Sequence, residues 1–157
     1  MTSRTLAIFL VALLSFTSAR LYRGDCDEPE LITDFDVESY LGLWYEQYRD
    51  AEFRPSGEDG DCVTAHYDLY SNGKVQVYNS QIRDKNPEER GSIYGKAKCE
   101  EDSSQCTVAF FLGLARGDYR VISTDYTSYS VVYSCQRVPF LGWFGFKNVG
   151  MWILARS

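Results

Sequence analysis

Few side chains in this sequence are suited to catalysis or metal binding. The chain has a single histidine, His66, and five cysteines, and no Cys-x-x-Cys pair occurs. Zinc sites usually combine several histidine and cysteine ligands, so the sequence offers little from which to build one. Glu46, Asp125 and His66 are the groups that acid–base chemistry would use, and we predict that none of them is catalytic. We therefore expect a protein that is not an enzyme and that has no metal or cofactor.

The composition is that of one folded domain with an acidic surface. Of the 157 residues, 45% are hydrophobic and 24% are charged, which is enough apolar material for a packed core. The formal net charge of −6 argues against nucleic acid or anionic lipid as a partner, because both attract clustered lysine and arginine. Aromatic residues make up 15% of the chain, which favours strands over helices.

The N-terminus has the pattern of a secretory signal peptide. Arg4 precedes an apolar run from Leu6 to Phe16, and small residues follow at Thr17 and Ala19. The run is too short to span a bilayer, although a membrane anchor is the alternative. The sequence thus predicts a signal peptide over residues 1–19 and a secreted domain over 20–157, without stable membrane insertion. Secretion makes the cysteines candidates for disulfide bonds.

Turn-forming sequences divide the rest of the chain into short runs with a two-residue period, which is the period of a strand. The Asn72-Gly73 pair, for example, is typical of a tight hairpin. A short helical turn is expected near residues 36–40. The eight runs are Gly42–Arg49, Cys62–Tyr70, Val75–Arg83, Gly91–Cys99, Cys106–Leu112, Tyr119–Thr124, Tyr129–Gln136 and Val149–Arg156. They predict an all-β fold, an eight-stranded antiparallel up-and-down β-barrel, because closure removes the exposed sheet edges.

Alternation also indicates which side chains face the inside of the barrel. Small residues on that face, such as Ala65, Gly95 and Ala97, would leave room for one ligand. The alternative is that aromatic side chains fill the space. The predicted ligand-binding residues of the inner face are Val63, Ala65, Tyr67, Leu69, Val75, Val77, Asn79, Ile93, Ala97, Val108, Phe110 and Leu112. A rival register of the fifth run would turn Ala109 and Phe111 inward instead.

Three further aromatic residues, Tyr48, Phe53 and Tyr119, complete the predicted ligand-binding set. Aromatic rings suit flat or conjugated ligands, and Asn79 is the polar group expected to select among them. The loop over residues 50–61 would frame the open mouth of the barrel.

Three separated motifs resemble those of the lipocalin family. In chain order they are Gly42-x-Trp44, Thr124-Asp125-Tyr126 and a lone Arg156 at the end of the last strand. Gly-x-Trp alone is a weak signal, but all three in this order, with a signal peptide and eight strands, are specific. The resemblance covers about residues 26–157 and is nearest to the group of apolipoprotein D, bilin-binding and crustacyanin-like proteins.

The resemblance implies structural roles for these motifs. Trp44 would close one end of the barrel, and Gly42 would let the entering chain pass close to it. Arg156 would lie across the indole face in a cation–π contact. Thr124 and Asp125 would fix a turn between two strands.

The resemblance also implies the disulfides in part. Cys26 would pair with Cys135 and attach the N-terminal segment to the barrel, and Cys99 and Cys106, which flank a short turn, can staple a hairpin. Cys62 is left over, because its counterpart in this group usually bonds a cysteine beyond the last strand. That cysteine and the usual C-terminal helix are absent from this sequence. Either the sequence is a fragment or Cys62 is free.

As a lipocalin, the chain would be a secreted carrier of a small hydrophobic ligand. The ligand classes that the resemblance implies are lipids, retinoids, steroids, carotenoids and bilins, bound non-covalently as a lipid or pigment. A bilin has two propionates and would favour basic residues at the mouth. Arg49, Arg54 and Arg116 are the candidates.

Two alternative functions stay open. One kind of lipocalin isomerase uses a thiol inside the barrel, and Cys106 has the parity to point inward, although a bond to Cys99 would consume it. The other alternative is a secreted protein-interaction module. The stretch from Val138 to Phe146 is very apolar for a loop and is a candidate homodimer contact, unless it caps the barrel.

Overall fold

A computed structural model describes residues 21–50, 60–83, 86–113, 115–137 and 145–157 of the chain. The signal peptide predicted over 1–19, Phe53, Arg54 and most of the apolar stretch from Val138 lie outside these ranges, so those expectations stay predictions. No helix in the described ranges is long and apolar enough to cross a membrane.

Nine strands form one antiparallel sheet in the described part of the chain. The strands are β1 (Leu21–Arg23), β2 (Gly42–Arg49), β3 (Gly60–Leu69), β4 (Val75–Arg83), β5 (Asn86–Cys99), β6 (Gln105–Phe110), β7 (Ala115–Thr124), β8 (Tyr129–Arg137) and β9 (Phe146–Ala155). The helix α1 (Val37–Tyr40) leads into β2, and a 3-10 turn (Phe111–Gly113) follows β6. Each strand from β2 to β8 pairs with the next along the chain, and β9 pairs with both β8 and β2. The sheet is therefore closed, which confirms the predicted eight-stranded barrel, and β1 is an addition that pairs with the start of β9.

The segment before β2 closes one end of the barrel. Asp36 caps α1 by accepting a hydrogen bond from the Ser39 backbone N–H at 3.1 Å, and bonds from the Ser39 side chain and backbone lower the pKa of this carboxyl. Phe35 and Tyr40 are buried, and their ring centroids lie 5.2 Å apart. The chain entering β2 thus contributes part of the core before the strand begins.

Trp44 and Arg156 form the floor of the barrel, as the family motifs imply. Trp44 is completely buried, and its indole N–H donates to the Tyr40 carbonyl at 2.9 Å. The Arg156 guanidinium lies 3.7 Å from the indole centroid and donates to the backbone carbonyl oxygens of Tyr126, Leu43, Ser39 and Tyr40. One cation therefore joins α1, β2 and the β7–β8 turn.

Two features require a glycine at position 42: the nearby Arg156 guanidinium and the local backbone conformation. Its φ of +93° lies in the left-handed region, and a Cβ there would approach an Arg156 nitrogen at 3.3 Å. The neighbour that a side chain would meet is thus Arg156, and not Trp44 as the sequence suggested.

Thr124 and Asp125 fix the β7–β8 turn, as expected. The Asp125 carboxylate accepts bonds from the Ser128 hydroxyl and from the backbone N–H groups of Thr127, Ser128 and Tyr129. These bonds, led by the Ser128 hydroxyl, hold the pKa of Asp125 well below its usual range. The hydrogen bonds of the carboxylate therefore hold the turn in shape, which agrees with a structural role.

Both expected disulfides are present in the structure. Cys26 is bonded to Cys135 and Cys99 to Cys106, with Cα separations of 5.8 and 3.8 Å. Cys62 is a free, exposed thiol with a φ of +52°, and it lies where the register of β3 shifts against β4.

Replacing Arg156 tests the floor. We expect Arg156→Ala to lower the free energy of unfolding by about 2–4 kcal/mol, because it removes a cation–π contact with a buried indole and bonds to four carbonyls. Arg156→Lys should recover only part of the loss, since lysine keeps the charge without the planar fork. Urea unfolding followed by tryptophan fluorescence measures both variants.

The matched control is Arg137→Ala, which removes an exposed arginine that pairs with Asp25. Exposed pairs contribute about 1 kcal/mol or less. Equal losses at positions 137 and 156 would contradict the role assigned to the floor.

Candidate ligand-binding site

Strand pairing assigns the inner face, because residues opposite each other in an antiparallel pair point to the same side. Trp44, for example, is opposite Ala65, which is opposite Asn79, which is opposite Ile93. The predicted site residues that fall on the inner face are Ala65, Tyr67, Val75, Val77, Asn79, Ile93, Ala97, Val108, Phe110 and Tyr119. Within this register Ala109 pairs with Arg116 on the outer face, which excludes the rival register of β6.

Near the floor, the inside of the barrel is filled by its own side chains. Val75, Val77, Ala97 and Val108 are buried in the core cluster with Trp44. A cavity of about 30 Å³ lies among Val75, Ala97, Val108 and α1, which is room for about two water molecules. Among the described residues, this end of the barrel therefore has no space for a hydrophobic ligand, and the alternative that side chains fill the space applies here.

Gly95 illustrates how the filling works. A Cβ at this position would lie 2.6 Å from the Phe110 ring, so Phe110 occupies the space that the missing side chain leaves. The small residues Ala65, Gly95 and Ala97 were expected to leave room for a ligand. In the structure Gly95 instead accommodates the Phe110 ring, Ala97 belongs to the core cluster and Ala65 packs against that cluster.

Three tyrosines join their hydroxyl groups inside this filled end. The Tyr119 hydroxyl lies 3.0 Å from those of both Tyr40 and Tyr67, and the Tyr40 hydroxyl lies 2.8 Å from the Ser130 hydroxyl. Burial raises the pKa of Tyr40, Tyr67 and Tyr119 above the ordinary tyrosine value. The three phenols are therefore neutral at physiological pH, and each satisfies another's hydrogen-bonding capacity.

Towards the other end of the barrel, the inner face becomes partly accessible to solvent. Up-and-down topology places the ends of β2, β4, β6 and β8 and the starts of β3, β5, β7 and β9 together at this open end. The inner-face residues there that are intermediate or exposed are Asn79, Gln81, Gly91, Ile93, Gly117, Gln136 and Asn148. Accessible surface on inward residues of a closed barrel means that solvent reaches the inside of the barrel from this end.

A β-bulge places an ion pair in this hollow. The register between β2 and β9 shifts between Glu46 and Tyr48, so that Glu46 is opposite Leu154 and Arg49 is opposite Trp152. Leu154 belongs to the core cluster and Trp152 packs against it, so both charged residues face inward. Arg49 Nε donates to Glu46 Oε1 at 2.8 Å and Nη2 to Oε2 at 3.2 Å. Arg49 is thus the partner of Glu46 that the sequence did not reveal.

The same bulge corrects the expectation for Tyr48. Strict alternation from Trp44 predicts that Tyr48 faces the ligand, but the extra residue turns it outward, opposite Ile153. Tyr48 is 55% exposed and Ile153 is 39% exposed, as the outer face requires.

Other predicted residues differ from expectation for separate reasons. Leu69 shares the face of Val75 but lies at the last position of β3, where it is 44% exposed. Val63 lies within the register shift of β3, so alternation does not fix its direction. Position 112 is in the 3-10 turn and not in a strand, and the side chain of Leu112, like Phe53, is outside what the structure describes.

The groups considered for chemistry do not converge. Cys106 points inward as its parity predicts but is bonded to Cys99, and Cys62 is on the surface. His66 pairs with Tyr78 on the outer face and lies 3.1 Å from Asp68. Among the described residues no three histidine, cysteine or acidic side chains are grouped as metal ligands would be.

Sequence reasoning missed several inner-face residues of the open half, among them Gln81, Asn148 and Trp152, and it named Arg49 only as a basic residue at the mouth. For Gln81 the alternation of β4 beyond Asn79 was a sufficient signal. Arg49 required the bulge, which leaves no composition signature in the sequence. The last strand was expected to start at Val149, so Asn148 was not considered.

Comparisons with known proteins agree with this architecture. A family model described as a lipocalin-like domain matches residues 35–143. Apolipoprotein D of Bos taurus is 35% identical over 136 residues, which are 85% of this chain and 67% of that protein. Insecticyanin of Manduca sexta superposes with a TM-score of 0.68 at 24% identity, covering 88% of this chain and 72% of that one. Lobster apocrustacyanin A1 superposes with a TM-score of 0.66 at 18% identity, covering 87% and 74%.

A closed antiparallel barrel, plugged at one end and hollow at the other, is the architecture of a small-ligand-binding β-barrel. At their low identities, the two structural neighbours support this fold alone. The family model and the apolipoprotein D identity go further: this chain belongs to the lipocalin family, which confirms the resemblance seen in its three motifs.

The buried tyrosines predict how stability depends on pH. In the unfolded chain tyrosines ionise near pH 10. The folded chain retains these protons, so the free energy of unfolding should fall as the pH rises above about 10 and continue falling towards the raised folded pKa values. Removing one phenol in Tyr119→Phe should make the decline less steep, by up to about 1.4 kcal/mol per pH unit.

Urea unfolding between pH 9 and pH 11 measures this slope, in a Cys62→Ser background that prevents thiol exchange. Tyr129→Phe is the control, because Tyr129 is 41% exposed and its hydroxyl contacts only Ser123 among the bonds described. If Tyr119→Phe and Tyr129→Phe have the same pH slope, the phenol cluster does not control alkaline stability.

Proposed function

We propose that this lipocalin is a secreted carrier that holds one small hydrophobic ligand in the open half of its barrel. The observation that carries the proposal is the contrast between the two halves of the inner face. Side chains near the floor are packed and buried, whereas those towards the open end, such as Ile93 and Asn79, retain accessible surface inside a closed sheet. A ligand that covers this surface removes apolar area from water, worth about 25 cal/mol per Å².

The lining favours an apolar ligand with aromatic or extended carbon structure. Phe110 and Trp152 are partly buried rings that pack against the core cluster, and Ile93 supplies an aliphatic surface. Lipids, retinoids, steroids and carotenoids fit this chemistry as non-covalent ligands. A bilin is less favoured by the described residues, because Arg49 is already paired with Glu46 and exposed Arg116 lies on the outer face and donates to the Gly113 carbonyl.

Secretion is supported by the disulfides as well as by the N-terminal sequence. Disulfides such as Cys26–Cys135 and Cys99–Cys106 are formed and kept in oxidising compartments. A carrier needs no catalytic group, and the inward thiol that an isomerase of this fold would use is bonded in the Cys99–Cys106 disulfide.

A cavity-filling substitution tests the location of the ligand. We expect Ile93→Trp to weaken binding of the neutral dye Nile red at least tenfold, because the indole would occupy the hollow opposite Asn79. The matched control is Tyr94→Trp, one residue further along β5 on the outer face, where the native side chain is 62% exposed. Fluorescence titration of the two variants gives the dissociation constants.

Thermal unfolding establishes that both variants are folded. If Ile93→Trp binds the dye as well as Tyr94→Trp does, the ligand does not lie in the barrel. Absorbance and mass spectrometry of material extracted from the natively secreted protein then assign the class, since a visible band selects a pigment and a colourless extract a lipid.

A further inference from the structure

Two buried side-chain acceptors on the inner face have no hydrogen-bond partner among the described residues. They are Oδ1 of Asn79 on β4 and Oδ1 of Asn148 on β9. Asn79 is opposite Ala65 and Ile93, and Asn148 is opposite Gln136 and two residues from Gly150 on the inward row. Leaving a buried acceptor unpaired costs about 1–3 kcal/mol, so both positions are destabilising unless something donates to them.

A hydroxyl group is the ligand function that satisfies a buried amide most simply. It donates through its O–H and accepts through its lone pairs, so it can pair with the oxygen or the nitrogen side of the amide. An apolar molecule without such a group would seal the asparagines away from water and leave the cost in place.

The charges of the hollow argue against an anionic ligand. Arg49 is the only cation among the described inner-face side chains above the floor, and Glu46 already binds it through two hydrogen bonds. The side chains of Arg49 and Glu46 are 21% and 14% exposed, so the pair is largely removed from water. A carboxylate entering this site would lose its hydration and would find the described inner-face cation already neutralised.

We propose that this barrel selects an uncharged, mainly apolar ligand that carries at least one hydroxyl group, in preference to the corresponding carboxylate. The hydroxyl pairs with the side-chain amide of Asn79 or Asn148, which rotates to bring Oδ1 to the hollow because that atom has almost no accessible surface in this structure. Among the described inner-face side chains, the Glu46–Arg49 pair leaves no free cation for an anion. This inference rests on the proposed carrier function and adds the polar chemistry of the ligand.

The test compares 1-dodecanol with dodecanoate, which share a twelve-carbon chain and differ in the polar end. Each displaces Nile red from the full-length secreted protein at pH 7.5, where dodecanoate is ionised. We expect dodecanol to bind at least tenfold more tightly. Asn79→Leu and Asn148→Leu should each weaken dodecanol at least threefold, with a smaller effect on Nile red.

The decisive variant is Glu46→Gln, which frees Arg49 without changing the size of the side chain. We expect it to strengthen dodecanoate binding at least fivefold while dodecanol changes little. The control is Gln76→Leu, which lies on the outer face of β4 opposite Lys96 and should leave both ligands unchanged.

The outcomes separate this inference from the carrier function. If Nile red does not bind the native protein, the carrier function itself fails. If Nile red binds but dodecanoate displaces it as well as dodecanol does, hydroxyl selection is wrong and the carrier function stands. If Glu46→Gln is unstable, the asparagine variants still decide, because unchanged dodecanol binding in both would overturn the proposal.

Discussion

The stacking of the Arg156 guanidinium on the Trp44 indole is the interaction on which the rest of the barrel depends. A barrel closed by hydrogen bonds alone would be open at both ends, and its inner face would be wet throughout. Arg156 seals one end because it covers the indole and also binds carbonyl oxygens of α1, β2 and the β7–β8 turn. Arg156, directly after β9, thereby fixes the start of β2. The positive φ of Gly42 allows the backbone of β2 to approach the guanidinium closely.

The floor also explains why the two halves of the barrel differ. Above Trp44, the buried tyrosine hydroxyls bond one another, so that polar groups in the core are satisfied without water. The described core residues are concentrated in this half, where valines and aromatic rings pack around the network. The open half contributes less packing and can therefore tolerate a bulge, an inward ion pair and unpaired amides.

Alternation predicted most of the inner face because a barrel has only two faces, and a period of two assigns them as long as the register is unbroken. β4 has no register shift against either neighbour from Val75 to Ser80, and its inward residues Val75, Val77 and Asn79 follow the sequence pattern. β2 shifts its register between Glu46 and Tyr48, and there the pattern is wrong by one residue. The shift depends on the pairing with β9, more than a hundred residues away in the chain, so the local sequence of β2 could not reveal it.

The sequence likewise indicated small inward residues but not what fills the space beside them. Gly95 and Phe110 come from different strands, and only their pairing shows that the ring occupies the missing Cβ volume. The motif residues were predictable because each has a role that few residue types can fill. A planar cation over an indole, a glycine at positive φ and a carboxylate that accepts several turn N–H groups are examples. The ligand-facing residues have no such constraint, since a hollow imposes no packing requirement.

Specificity in such a hollow depends on unpaired polar groups more than on apolar area. Any apolar molecule of suitable size gains binding free energy as it covers apolar surface. Buried area therefore discriminates between ligands by size but not by their functional groups. A buried amide or a neutralised cation discriminates between ligands by their polar groups. A ligand with an unsuitable polar group leaves a hydrogen bond unmade or a charge without a partner. Binding to the folded state alone also stabilises it by mass action, so a ligand that satisfies Asn79 and Asn148 removes a cost that the empty barrel bears. The open half, where the described residues pack least, is therefore the half in which a ligand with matching polar groups gains the most binding free energy.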